Sequence, residues 1–230
     1  MKAYKHHLIK NFEENASIFK KIFANIIFLI GVTKITWRKN NLTPQDYKNS
    51  LKIIQKGDVL LLGNHRRASG LFIRGSVTHA SLYTGGGRVI HAISDGVVRE
   101  KFRNFFSEYD TLAILRPKIK KGKKTFVKKA VSYARKQVGK PFDFFFASEQ
   151  EDFFCSQLVN DAYQYAEFQT GLANHKKAQN IINKKIKLLE VNRALHPKEF
   201  FNGNFDTIFL SESLKDMELW MKIKKHSLEI

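Results

Sequence analysis

The only cysteine in the sequence, Cys155, stands in "EDFFCSQLVNDAYQYA" at residues 151–166, and two histidines, His79 and His91, stand in "VTHASLYTGGGRVIHAI". A thiol, one imidazole to take its proton and a second to orient the first are the parts that nucleophilic acyl transfer needs. A free cysteine is also among the most buried residue types, and on the helix alone packing is the better account of Cys155. Either histidine taken singly is more often a surface or core residue than a catalyst. A metal site made from His79, His91 and Cys155 is the weaker alternative, because no metal-ligand spacing recommends it. No cofactor motif competes: Gly85-Gly86-Gly87 lacks both the dinucleotide fingerprint and a phosphate-loop lysine, and marks a turn.

Two elements must position these groups. A helix from about Asp152–Cys155 to residue 169 places Cys155, Leu158, Val159, Ala162 and Ala166 on one stripe that faces a sheet. The first turn of such a helix has unpaired N–H groups and the positive end of the dipole, which predicts a thiol pKa below its free value of ~8.5 and a cradle for an oxyanion. The histidines fall on two strands of a hairpin. Pairing Tyr83 with Gly87 across the loop Thr84-Gly85-Gly86 sets Ser81 opposite Val89 and His79 directly opposite His91, with Cβ atoms ~5 Å apart on one face. A two-residue loop would slip the register by one and send the imidazoles to opposite faces.

The remaining pattern supplies the frame. "GDVLLLG" (57–63), "TLAILRP" (111–117) and "FDTIFLSES" (205–213) read as strands, and residues 123–138 carry Phe126, Val127, Ala130, Val131, Ala134 and Val138 at helical spacing. "HPKEFFNG" starts a short helix with Pro197 in its first turn. Residues 38–50 read as a polar connector, 64–76 as a basic loop with Arg66, Arg67 and Arg74, and "PFDFFFA" (141–147) as core or pocket lining near Cys155. Asp95, before Gly96, is a turn residue. Strands gather in the middle and helices elsewhere, so the expected class is α+β, with a helical segment at 1–50 and the main domain at 51–230.

Composition bounds the partners. Forty Lys plus Arg against 21 Asp plus Glu give a formal charge of +19, and 43% of the 230 residues are apolar, 20 of them Phe. One cysteine excludes an internal disulfide and a multi-cysteine zinc site within this sequence. The charge attracts polyanions, but no zinc-finger spacing, RNP-type motif or helix-turn-helix supports nucleic acid as a partner. "IFANIIFLIGVT" (22–33) is apolar between Lys21 and Lys34. It is too short for a bilayer span of roughly 20 residues and does not read as a signal peptide, while its cationic flanks and Trp37 suit a helix in an anionic membrane interface. Packing on the domain's own core explains the run about equally well. Nothing in the pattern fixes an oligomeric state.

"KGDVLLLG", "VTHASLYTGGGRVIHAISDGVV" and "FFCSQLVNDAY", in this order over about residues 51–212, resemble the circularly permuted NlpC-type papain-like hydrolases of the YiiX/YaeF-like branch. In ordinary papain-like enzymes the cysteine helix precedes the histidine strand; here His79 comes first and Cys155 last, as the permuted branch implies. The resemblance implies a papain-like α+β fold with a central antiparallel sheet and the cysteine helix packed on it. It also implies Cys155 as nucleophile, His79 as general base and acid, and His91 in the orienting position, which is Glu in some relatives. Gly57-Asp58 would shape the site without Asp58 being catalytic. The expected substrate is a lipid acyl group or a peptide amide, and the rival class is a non-catalytic binding protein that keeps the fold.

Overall fold

The computed structural model describes residues 7–12, 14, 16–33, 41–65, 76–142, 154–172 and 195–216. The elements in chain order are α1 (Ile18–Val32), α2 (Pro44–Ile53), β1 (Val59–Gly63), β2 (His79–Gly85), β3 (Arg88–Ile93), β4 (Gly96–Lys101), α3 (Phe105–Glu108, after a 3₁₀ turn at Phe102–Asn104), β5 (Thr111–Pro117), α4 (Lys123–Lys136), α5 (Cys155–Tyr165), a 3₁₀ turn at Pro197–Asn202 and β6 (Phe205–Leu210). The expected α+β class holds. The strands form one antiparallel sheet in the order β4-β3-β2-β1-β5-β6. The basic loop from Arg66 to Arg74, the flanks at 34–40, most of the aromatic run after Phe142 and the tail beyond residue 216 lie outside the described residues.

Side chains alternate across the sheet, as the strand period of two requires. Leu61, Ala80, Leu82, Ile90 and Leu115 face α4 and α5, which present Val127, Val131, Leu158, Val159 and Tyr163 to them. Leu60, Leu62, Tyr83, Val89 and Ile114 face the other way, against Phe102, Phe105 and Tyr109. β1 is buried along its whole length, which is why "VLLLG" reads as an unbroken apolar run.

Asp58 anchors the lower edge of this sheet. Its carboxylate takes two hydrogen bonds from Arg116 on β5, Nε to Oδ1 at 2.8 Å and Nη2 to Oδ2 at 2.7 Å, and a third from the Gln55 amide. Gly57 beside it sits at φ +92°, where a Cβ would lie 2.7 Å from Val127, and its carbonyl accepts from the Tyr163 hydroxyl of α5. The Gly-Asp pair thus ties β1, β5 and the cysteine helix together, a structural role.

Two readings change. Residues 38–50 contain the start of α2 rather than only a connector: Thr43 and Asp46 form a reciprocal capping box ahead of Pro44–Ile53. The hairpin also pairs differently. Tyr83 lies opposite Val89 and Leu82 opposite Ile90, with Gly85 opposite Arg88 and an irregularity between Tyr83 and Gly85. The turn is therefore the two residues Gly86-Gly87, both at positive φ (61° and 66°), as such turns demand. That turn alone would have put the imidazoles on opposite faces. Thr84 bulges out of the ladder and restores the parity, its hydroxyl donating to the Arg88 carbonyl at 3.2 Å. Continuing the register sets Ser81 opposite His91, so His79 is the diagonal neighbour of His91 on the same face.

Asp58→Ala strands the Arg116 guanidinium and is expected to cost about 2–4 kcal/mol in urea unfolding. A loss under about 0.5 kcal/mol would contradict the anchoring role.

Candidate active site

Three acid–base side chains run diagonally over three adjacent strands. His79 opens β2, His91 lies within β3, and Glu100 lies within β4, where Val98 is the residue paired with His91. Nε2 of His79 is 2.8 Å from Nδ1 of His91. Nε2 of His91 is 3.2 Å from Oε2 of Glu100, close enough for strong charge interaction though off the axis of a full hydrogen bond. Tyr109 stacks on His79 with ring centroids 5.6 Å apart and planes at 13°, and Phe105 packs on His91 at 5.2 Å. His91 is fully buried.

This order of contacts assigns the protons. A carboxylate can only accept, so the His91 nitrogen facing Glu100 is the one that carries hydrogen. In the form of His91 that carries no second hydrogen, Nδ1 offers a lone pair and His79 donates to it from Nε2. Nδ1 of His79 is left with the lone pair, and it makes no hydrogen bond to any described residue. Burial pushes the Glu100 carboxyl up, but hydrogen bonds from His91 and Asn104 and the charge of His91 outweigh it and hold the group below its ordinary value, as a carboxylate.

Cys155 is the first residue of α5, after Phe154, which caps the helix without a side-chain hydrogen bond. The sulfur is approached by the Ala80 backbone N–H, which belongs to the peptide bond joining His79 to Ala80, by the amides of Cys155 and Ser156, and by the Ser156 hydroxyl at 3.7 Å. No hydrogen bond links Sγ to either imidazole. The helix covers one face of the sheet and the imidazoles sit with Tyr109 and Phe105 on the other; the link between the two sides is the Ala80 N–H, one residue after His79, which reaches the sulfur. Cys155 and His79 are half-buried by exposed area while closely surrounded by protein atoms.

The expected lowering of the thiol pKa is not what this packing produces. Burial pushes the Cys155 thiol up, and the N–H groups of Ala80, Ser156 and Cys155 with the Ser156 hydroxyl offset it only in part. Burial, and then repulsion from His91, lower His79 well below the ordinary imidazole value. At neutral pH the thiol and the His79 imidazole are therefore each uncharged.

Sequence reasoning named Cys155, His79 and His91; the structure brings the two histidines together and sets beside them Glu100 and Tyr109, residues that sequence reasoning did not name. "GVVREK" (96–101) holds the signal for a half-buried strand, with Glu100 two residues beyond Val98 on the same face. Asp95 is a turn residue, hydrogen-bonded by His7 at 2.7 Å, and plays no part in the cluster.

A cysteine opening a helix against an antiparallel sheet that carries a histidine pair defines a papain-like cysteine-hydrolase fold. The model of the permuted papain-like amidase enzymes, the YaeF/YiiX, C92 family, matches residues 53–223, and the chain belongs to that family. It is thus a cysteine hydrolase. The fold is similar to the crystal structure of metalloprotein yiiX from Escherichia coli O157:H7, with a TM-score of 0.52 and 17% identity over 67% of this chain and 96% of that one. No curated protein matches the chain significantly.

The description of that neighbour raises the question of a metal here. Two imidazole nitrogens bound to one zinc stand about 3.3 Å apart at Zn–N distances of ~2.0–2.1 Å, whereas the facing nitrogens of His79 and His91 are 2.8 Å apart and spent on each other. Among the described residues no group of three or more His, Cys, Asp or Glu is arranged to hold an ion. These residues do not fit a metal.

The lowered imidazole has a consequence for stability. As pH falls through the ordinary histidine range, the unfolded chain takes up a proton that folded His79 refuses, so folding weakens until pH reaches the lowered value. The drop in urea midpoint from about pH 7.5 to about pH 5.5 is expected to shrink in His79→Asn; an unchanged drop would contradict a buried neutral imidazole.

Proposed function

We propose that Cys155 is the nucleophile, His79 the general base and acid acting through Nδ1, and His91, held by Glu100, the orienting residue. A cysteine hydrolase with one cysteine in the sequence has one candidate thiol. The observation that carries the reading is the His91–His79 contact, because it occupies Nε2 and leaves Nδ1 as the only nitrogen of His79 able to accept a proton. The thiol proton passes to Nδ1 as sulfur attacks the carbonyl carbon. The N–H groups at the start of α5 receive the oxyanion. When the tetrahedral species collapses, the bond to the leaving nitrogen, oxygen or sulfur breaks and that atom takes the proton from His79, leaving an acyl group on Cys155. Water, or another acceptor in a transferase reaction, then gives its proton to His79 as it attacks the acyl carbon, and the C–S bond breaks as that proton returns to sulfur, restoring the thiol.

The acyl donor is an amide, ester or thioester, and we place it at a membrane surface, a choice supported by the charge of +19 and the apolar N-terminal segment. Mass spectrometry of enzyme quenched during turnover tests this. A fatty-acyl mass on the Cys155 peptide supports it, while a peptidyl mass would assign the enzyme to peptide amides and overturn the lipid choice.

Cys155→Ala is expected to lower kcat/KM by at least ~10³-fold; residual activity near wild type would end the assignment. Because the resting pair is neutral, iodoacetamide labelling of Cys155 should climb steadily with pH, with its midpoint above the ordinary thiol value. A labelling plateau already reached in mild acid would mean a preformed thiolate–imidazolium pair and contradict the packing.

A further inference from the structure

Helix α1 carries its hydrophobic residues on the side that faces away from the protein. Ile18, Phe19, Ile22, Phe23, Ile26 and Ile30 are all exposed, Ile18 and Phe19 by 76% and 75%, whereas Ala24, Phe28 and Val32 on the reverse side are buried. Their spacing of i, i+1, i+4, i+5, i+8 and i+12 is one helical face, and no charged or hydrogen-bonding side chain interrupts it. Inward contacts are accounted for: Phe28 and Val32 pack with Ile9, and Asn25 accepts from the Ile9 amide at 2.7 Å. Ile18, Phe19, Ile22, Ile26 and Ile30 stay exposed on the outward face. An apolar stripe of this extent marks an interaction surface.

We propose that this stripe seats the protein on an anionic lipid bilayer, with α1 lying in the plane of the interface. At 15 residues the helix is about 22 Å long, short of a hydrocarbon core of ~30 Å, and among the described residues no helix is long and apolar enough to cross a membrane. Lying in the interface is the geometry left to it. Charge selects the occupant: Lys20 is half-exposed on the helix flank next to the stripe, and the chain as a whole carries +19. That charge opposes a second copy of the same chain and favours acidic headgroups.

The stripe is fastened to one end of the sheet. In the segment leading to α1, His7 bonds Asp95 at 2.7 Å, and Asn11 donates to the carbonyls of Asp95 at 3.0 Å and Gly139 at 3.1 Å. Asp95 is in the β3–β4 turn, at the end of the sheet where β2 begins with His79. Docking therefore brings the bilayer to the end of the sheet that carries His79, and on the reading of Cys155 as nucleophile the acyl donor is reached from the membrane.

Cosedimentation with vesicles of phosphatidylglycerol and phosphatidylethanolamine, or of phosphatidylcholine alone, tests the docking. The full chain should bind the anionic vesicles ~tenfold or more tightly than the zwitterionic ones, weakening as salt rises from about 0.05 to about 0.5 M. The double variant F19E/I26E, at exposed positions, should lose ~tenfold or more of that affinity with its thermal melt unchanged. Failure to bind, equal binding to both vesicle types, or undiminished binding of F19E/I26E would overturn the proposal. So would a dimer in sedimentation that F19E/I26E dissociates, which would assign the stripe to a second copy. Cys155→Ala should bind vesicles as wild type does, and F19E/I26E should keep activity on a water-soluble ester, so docking and catalysis fail separately.

Discussion

Glu100 cannot donate a hydrogen bond, and proton placement across the site follows from that limitation. The carboxylate calls for hydrogen on Nε2 of His91; when Nδ1 of His91 is bare it accepts from His79, whose lone pair is then at Nδ1. Under the proposed roles, the reverse arrangement would put hydrogen on Nδ1 of His79 and take away its capacity to act as base. The sheet exists, for this purpose, to hold three side chains on a diagonal, and its register has no freedom to slip by one residue without breaking the line. Thr84 guards that register, and the Asp58–Arg116 pair holds the opposite end of the same strands in place.

Burial and charge balance against each other on the two sides of the thiol. The helix start supplies N–H groups that favour a thiolate, yet packing against the sheet removes the water that would otherwise help, and burial wins in the resting state. The same exclusion of water lowers His79. Under the proposed mechanism neither group needs to be charged before substrate arrives, because N–H groups at the helix start would act on the oxyanion of the tetrahedral species.

Much of this was legible from residue type and spacing. Cys155 at a helix start, the apolar run of β1 and the existence of the hairpin follow from period and turn chemistry, whereas the shared face of the two histidines was expected from a pairing that the structure does not keep. What the sequence hid was tertiary. The Thr84 bulge changes the pairing by two residues while preserving the face, and no local rule separates a three-residue loop from a two-residue turn with a bulge in "TGGGR". Glu100 lies in a strand whose outer half is three charged residues in a row, Arg99, Glu100 and Lys101, so its face is visible only once Val98 is known to pair with His91. The direction of the thiol pKa depends on how closely α5 packs, a quantity that periodicity does not carry. The capping box of α2, by contrast, is written in "TPQD" and follows the rule for helix starts.

The proton arrangement can be observed directly by long-range ¹H–¹⁵N correlation of the imidazole rings in the resting enzyme at neutral pH. The account requires His79 neutral, with hydrogen on Nε2 and a bare Nδ1, and hydrogen on the Nε2 of His91 that faces Glu100. A spectrum showing hydrogen on Nδ1 of His79, or a fully protonated His79 ring, would contradict it.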